Sequence, residues 1–463
     1  MDSIRVASMG NVDAGKTTLI SCLSRGIMDD GNGSARHFIV THKHEERQTS
    51  SVGLIPMGFT KEGKSIPVED RRRVRKDIWQ HISKNSTKKV TFIDLCGHER
   101  FLKTTCHGLT GYYPHYGMIL LAGNKERSLA ASTFGGASQH SKNMTRQHLA
   151  IIHSLKIPFF FVVTKVDIAN PDILQKNIDS IKTTMNRVKI NTVAVMEDDD
   201  HVKHALDNVN NPSYVPIFKV STVTGQGMDL LKTFLYSLPN PRAKEEEEEV
   251  DNHDVPGTEK GCVGIDSVYT IPGVGIVVAG TIRGGTIVTG SDMLLGPRNI
   301  SEDDGMDAFE PVHIRSIETH YTARDMVTQG EIAAFAIRIR KNKEFKVTRG
   351  MYLVHPRMKP RAVYRAKVFI RILHHQTTIR HGYSPHFHCG PASVSARFIH
   401  MEEADRDGNG SGKSVAVIRT GSNAIVTVQF LRGVYLFVGD QFLMREGDAK
   451  GCGWIQEVYD TVI

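Results

Sequence analysis

Over its first 240 residues the chain alternates short apolar runs with longer stretches whose apolar residues recur every three or four positions. The runs Ile4 to Met9, Val90 to Leu95, Met118 to Ala122, Phe159 to Val163 and Ile217 to Val220 have the length and bulk of strands. Lys16 to Arg25, Met144 to Leu155, Ile173 to Met185 and Met228 to Leu238 have helical spacing, and a further helical pattern starts at Glu99. Strand, crossover helix and strand, repeated, predict an α/β domain: a mostly parallel sheet with helices on both faces. Pro239-Asn240-Pro241 stops the last helix, and Glu245 to Glu249 with Asp251 and Asp254 predict a solvated acidic linker over 241–260. From Gly261 the texture becomes short alternating strands with glycine and proline turns, which predicts one or two small barrels or sandwiches. A break between them is expected from His355-Pro356 to Lys359-Pro360. The acidic stretch Glu302 to Glu310 reads as a surface loop, and the polar insert Asn124 to Asn143 is long for a strand-to-helix connection.

Composition narrows the class. A chain of 463 residues allows roughly three domains of about 150 residues each. With 40% hydrophobic and 23% charged residues it is neither disordered nor fibrous. No apolar run approaches the ~18 residues of a membrane helix, and Met1 leads straight into a strand, so a cytoplasmic protein without membrane attachment is expected. The six cysteines lie far apart with no CxxC pair, which argues against a disulfide framework or a cysteine zinc site. The net charge of +8 is uneven: residues 361–400 hold six Lys or Arg, six His and no acid. Such a stretch suggests a surface for a polyanion, nucleic acid first. His374, His375, His381, His386 and His388 alternate along strands without nearby carboxylates, and read as RNA-facing or structural rather than metal-binding.

The chemistry concentrates in four ordered motifs. Gly10-Asn11-Val12-Asp13-Ala14-Gly15-Lys16-Thr17 fits GxxxxGK[ST] between a predicted strand and a predicted helix. Its glycines let backbone N–H groups surround phosphates, Lys16 can reach the β and γ phosphates, and the Thr17 hydroxyl can ligate Mg²⁺. Asp94-Leu95-Cys96-Gly97-His98 follows a later strand. There Asp94 can hold Mg²⁺ through water, the Gly97 N–H can sense a γ phosphate, and His98 can orient a hydrolytic water. In Thr164-Lys165-Val166-Asp167, the aspartate can accept paired hydrogen bonds from guanine N1 and N2, and the Lys165 stem can cover the ring, which favours GTP over ATP. Ser221-Thr222-Val223-Thr224 offers a backbone N–H to the guanine carbonyl.

With these motifs the sequence resembles the translational GTPases of the elongation factor Tu and elongation factor 1-alpha superfamily, within it the eukaryotic GTP-binding protein 1 and 2 group. GNVDAGKTT (including Thr18), DLCGHERFLKTT, MTRQHL, TKVD, VPIFKVSTVTGQGMDLLKTFL, VYTIPGVGIVVAGT and HHQTTIRHGYSPHFHCG follow that pattern in order. The resemblance implies a GTP-binding domain over 1–240, the linker over 241–260, and β-barrel domains over 261–357 and 358–463. It implies a first switch over roughly Asp29 to Met57, with Thr49 completing Mg²⁺ coordination, or Ser50 or Ser51 if the alignment slips. Arg47 stands where the family usually has glycine, and Gln48 where it has half of an apolar gate whose other half would be Val12. Thr164 replaces the superfamily's usual asparagine, as it does in the GTP-binding protein 1 and 2 group, so guanine choice would rest mainly on Asp167.

The implied activity is Mg²⁺-dependent GTP hydrolysis by a monomeric cytoplasmic translation factor. It would deliver aminoacyl-tRNA, or a tRNA-like protein factor, to the ribosome, with a guanine nucleotide exchange factor as a further partner. The surface around Gly273 to Gly280 and the basic third domain would hold the aminoacyl end and an RNA stem. Two other readings share the G domain: a ribosome rescue or mRNA surveillance factor with a protein cargo, and the GTPase subunit of a sulfate adenylyltransferase.

Overall fold

The computed structural model describes residues 2–39, 51–68, 75–126, 144–241, 261–298, 308–339, 345–405, 408–447 and 449–459. Most of the expected linker, of the 124–143 insert and of the acidic stretch before Glu310 lies outside them. The chain forms two compact units, one of residues 1–108 and 114–242, the other of 109–113 and 243–463.

The first unit runs β1 (Asp2–Gly10), α1 (Lys16–Arg25), β2 (Gly53–Phe59), α2 (Arg75–Asn85), β3 (Lys88–Asp94), α3 (Leu102–Gly111), β4 (Tyr116–Ala122), α4 (Met144–Ser154), β5 (Phe159–Thr164), α5 (Pro171–Arg187), β6 (Thr192–Met196), α6 (Asp199–Asp207), β7 (Tyr214–Lys219) and α7 (Met228–Ser237). The sheet order is β2-β3-β1-β4-β5-β7-β6. Only β2 runs antiparallel. β3 and β4 are buried along their whole length, as strands covered on both faces are. Helix ends follow local chemistry. Gly26 closes α1 in the left-handed region (φ 69°), Asn170 and Pro171 open α5, and Asp198 accepts the His201 N–H (2.8 Å) to open α6. Phe234 of α7 packs its ring 5.2 Å from Phe160 of β5 and 4.9 Å from Phe218 of β7, fixing that helix on the sheet.

Four elements go beyond the periodicity reading: β2, α2, β6 and α6. Residues 53–57, the end of the expected first switch, form an edge strand in register with β3 (Gly53↔Asp94 to Phe59↔Lys88). Pro56 and two glycines disguise it in the sequence, and an edge is where a strand tolerates proline.

The second unit contains two closed six-strand rings. In the first, Asp292–Gly296, Tyr352–Val354, Cys262–Ile271, Gly275–Gly284, Ile332–Ile339 and Glu310–Thr319 pair in order, and the last returns to the first. In the second the order is His386–Cys389, Gln441–Glu446, Ala449–Tyr459, Val363–His374, Asn423–Val434 and Ala392–Ala404, closed the same way. Alternation along Val363–His374 sends Ala366, Val368, Ile370 and Ile372 into the core and leaves Arg365, Lys367 and Arg371 on the other face. Glu310 departs from the loop expectation: it starts a strand, is 2% exposed and pairs with Arg298. His386 and His388 act structurally, His386 reaching Ser395 Oγ (3.0 Å) and Ser393 Oγ (2.9 Å) and His388 reaching Ser393 Oγ (3.2 Å).

Arg283 of the first ring meets Asp440 of the second as a bidentate pair with side chains 18% and 9% exposed, and its guanidinium lies 4.7 Å from the Phe437 ring centroid. Tyr352 and Tyr435 pack beside it, 5.3 Å between ring centroids. Removing one partner strands the other charge in low dielectric, so Asp440→Ala is expected to destabilise this unit by about 3–5 kcal/mol. Asp440→Leu combined with Arg283→Met should recover most of that loss, as measured by urea unfolding.

Candidate functional site

The loop between β1 and α1 turns sharply because Gly10 (φ 141°), Asp13 (φ 65°) and Gly15 (φ 79°) all have positive φ. It is tied from behind. Asn11 Oδ1 accepts the Val12 N–H (3.0 Å), Asn11 O accepts the Ala14 N–H (3.3 Å), and the Thr164 hydroxyl donates to Ala14 O (2.9 Å). Two residues of α4 accept from the loop's start: His148 Nδ1 from the Gly10 N–H (3.1 Å) and Thr145 Oγ1 from the Asn11 N–H (3.2 Å). Lys16 is buried, and its Nζ donates to Gly10 O (3.2 Å) and Asn11 O (2.9 Å) across the loop mouth.

β3 delivers Asp94 to the same place, with Ser8 of β1 directly opposite it in the parallel register. Asp94 is 3% exposed. Its Oδ2 accepts the Thr17 hydroxyl (2.7 Å) and its Oδ1 the Ser8 hydroxyl (2.9 Å). Burial pushes this carboxyl above the usual range, opposed by the Thr17 hydrogen bond, the Lys16 charge and the Ser8 hydrogen bond. Gly97 lies so close to the loop that a Cβ there would collide with Lys16 Nζ and stand 2.9 Å from Gly10 O. His98 is half-buried. Its Nδ1 accepts the Arg100 N–H (3.1 Å), and its ring centroid lies 6.3 Å from that of Phe101. A backbone N–H can only donate, so the neutral ring carries its proton on Nε2.

Lys165 adopts the left-handed conformation (φ 61°) at the end of β5, and Asp167 follows, exposed, in a short 3-10 turn. Ser221 Oγ accepts the N–H groups of Val223 (3.2 Å) and Thr224 (3.1 Å), shaping the loop after β7. Thr222 O accepts the Asp29 N–H (2.8 Å), and the buried Asp29 carboxylate accepts from Gly31, Gly33 and Ala35, organising the segment after α1.

Val12, Asp13, Gly15, Lys16, Thr17, Thr18, Asp94, Gly97, His98, Thr164, Lys165, Asp167, Thr222 and Val223 all line one open cavity of about 1260 Å³. Asn11, Ala14 and Ser221 stand behind it as supports. Thr49 and its alternative Ser50, with Arg47 and Gln48, lie outside the described residues; Ser51 lines the cavity. The sequence assigns no site contact to Ser8 or Asp29, nor to Thr145 and His148 within MTRQHL. Each looks like an ordinary strand, helix or loop residue until the partner distant in sequence is known.

The elongation factor Tu GTP-binding domain family matches residues 1–240, and the elongation factor Tu C-terminal domain family matches 357–459. GTP-binding protein 1 of Xenopus laevis is 35% identical, over 99% of this chain and 64% of that protein. GTP-binding protein 2 of Mus musculus is 32% identical, over 98% of this chain and 69% of that protein. The chain thus spans about two thirds of the length of these relatives. Among solved structures, elongation factor SelB of Methanococcus maripaludis with the GTP analogue GppNHp superposes with a TM-score of 0.62 at 17% identity, covering 99% of this chain and 80% of that one, which shows the fold. The phosphate loop, the Asp94 and Asp167 loops and the matched domains agree: the chain belongs to the elongation factor Tu and elongation factor 1-alpha superfamily of GTPases, together with GTP-binding proteins 1 and 2.

Proposed function

We propose that the chain binds GTP with magnesium, hydrolyses it, and in its GTP state carries aminoacyl-tRNA or a tRNA-like factor to the ribosome in the cytoplasm. One observation carries the nucleotide part: the Thr17 hydroxyl and the Asp94 carboxylate meet at 2.7 Å beside buried Lys16. Two hard oxygen donors of this kind suit Mg²⁺, which keeps several waters and binds few protein groups. Thr17 and Asp94 would hold the ion there, and when bound it would supply neutralisation of phosphate charge.

The protein's own work is positioning. Lys16, now turned to the loop carbonyls, swings to the phosphates; the loop N–H groups and the start of α1 face the same anion. The His98 Nε2 proton is directed to the oxygen of an attacking water, so His98 aligns that water rather than deprotonating it. Asp167 accepts hydrogen bonds from the guanine N1 and N2 N–H groups, while the Thr164 hydroxyl, within reach of Ala14 O (2.9 Å) and Leu121 O (3.3 Å), braces the loop beside them.

The cargo part is supported by the second unit. Tyr269, Ile271 and Val274 are 52%, 41% and 37% exposed on the hairpin of Cys262–Ile271 and Gly275–Gly284, an apolar strip that a terminal base and amino-acid side chain would cover. Arg361, Arg371, Arg380 and Arg397 are exposed in the acid-free stretch. The strand register also aligns Arg365 with Arg397 through Gln429, and Lys367 with His400 through Thr427. The Arg365–Arg397 row favours phosphate contacts, whereas Lys367 has Glu457 as its neighbour on the other side and His400 Nε2 lies 3.5 Å from Glu402.

Three outcomes are expected. His98→Ala should keep GTP affinity and lose about 10²-fold or more of ribosome-stimulated hydrolysis in single-turnover assays. Asp167→Ala should weaken GTP and GDP binding by about 10²-fold or more by calorimetry, without a matching change in the residual binding of ATP. For the carrier role, the protein with a non-hydrolysable GTP analogue should shift charged but not uncharged tRNA, steeply weakened by salt, and release it with GDP. Binding indifferent to the nucleotide would remove the switch, and a protein partner resembling a release factor, with no tRNA shift, would favour surveillance.

A further inference from the structure

We propose that Ser8 is a positioning residue for the magnesium-handling carboxylate: its hydroxyl proton, given to Oδ1 of Asp94, keeps Oδ2 turned toward Thr17 and the metal's water shell. The inference rests on the reading of this site as one that binds guanine nucleotide with magnesium.

Ser8 is completely buried in β1, flanked by the buried apolar Ala7 and Met9. A hydroxyl in such a place requires a partner, and the partner is Asp94 Oδ1 at 2.9 Å. The parallel pairing of β1 and β3 makes Ser8 and Asp94 direct neighbours, so the contact is set by backbone register and not by a flexible side chain. A hydroxyl has one proton, and this one goes to the acid. Asp94 is thereby gripped at both oxygens, by a strand residue on one side and by the first turn of α1 on the other. A carboxylate held only at Oδ2 could rotate about its Cα–Cβ and Cβ–Cγ bonds and offer the metal shell several orientations; held at both, it offers one. Partners of this outer kind typically change metal affinity by 10- to 100-fold.

The test measures release of a fluorescent GDP from the full chain while free Mg²⁺ is varied, with a parallel affinity measurement in EDTA. Ser8→Ala is expected to raise the half-saturating Mg²⁺ for slow release by about tenfold or more, with affinity in EDTA within about twofold of wild type. Ser8→Cys, similar in size but a poor donor, should shift in the same direction, and Ser8→Thr, which retains the hydroxyl, should stay near wild type. If Ser8→Ala does not fold, the Cys and Thr pair decides the matter. An unchanged Mg²⁺ requirement in both Ala and Cys variants overturns the proposal, as does an equal loss of affinity with and without Mg²⁺, which would mark a packing role only. A wild-type protein whose GDP release ignores Mg²⁺ overturns instead the underlying reading of the site, and the proposal with it.

Discussion

The site depends on one constraint, the parallel register of β1 against β3, paired from Asp2↔Lys88 to Ser8↔Asp94. Side chains on a strand alternate between faces, so a slip of one residue would turn Asp94 away from Thr17. The register also sets where both strands end. β1 stops at Gly10 and β3 at Asp94, which puts the phosphate loop and the Asp94 loop side by side at the carboxyl edge of the sheet. β5 and β7 end at that same edge, bringing Lys165 and Ser221 into line. In an open α/β sheet this edge is where a ligand crevice forms.

Around that edge the loop after β1 is braced from behind by side chains distant in sequence. The N–H groups at the start of the phosphate loop are taken by His148 and Thr145, and the Ala14 carbonyl by Thr164. Bracing the loop's ends preserves the strained turn between them, where Asp13 has positive φ without being glycine. The charged members are buried close together: Lys16 is 7% exposed and Asp94 3%. In low dielectric their mutual attraction is stronger than in water, and the charge of an arriving phosphate or cation is felt strongly there as well.

The sequence made part of this visible and concealed the rest for physical reasons. The phosphate loop could be read because glycine spacing acts locally: only glycine tolerates at no steric cost the positive φ that Gly10 and Gly15 adopt. β4 could be read because burial on both faces leaves a nearly unbroken hydrophobic run, and β3 because Val90, Phe92 and Ile93 mark its centre. β2 was hidden by Pro56 and its glycines, which an edge position permits, and α6 by the polar residues that dominate it. Thr164 lines the cavity, and the bond of its hydroxyl to Ala14 O, 150 residues earlier, has no local signature in the sequence. Ser8 and Asp94 are 86 apart, and Arg283 and Asp440 157 apart; no local pattern announces a pair whose meeting is decided by topology.

The Arg283–Asp440 pair bears on how a switch of this kind could use its barrels. Desolvating two charges is costly, and the pair holds only because the bidentate geometry, the Phe437 ring and the Phe437 N–H donated to Asp440 (3.1 Å) offset that cost. Such a contact is poorly suited to opening and closing in each cycle, since any intermediate position leaves both charges dry and unpaired. The two barrels are therefore better regarded as one body than as independently moving parts. In the carrier reading, the exposed hairpin of the first barrel and the basic strand face of the second then keep a fixed spacing whatever nucleotide is bound. A single rigid template suits an RNA stem and its charged end, which themselves have fixed separation. In that reading, nucleotide-dependent release is assigned to the segments around the nucleotide site and not to a rearrangement between the barrels.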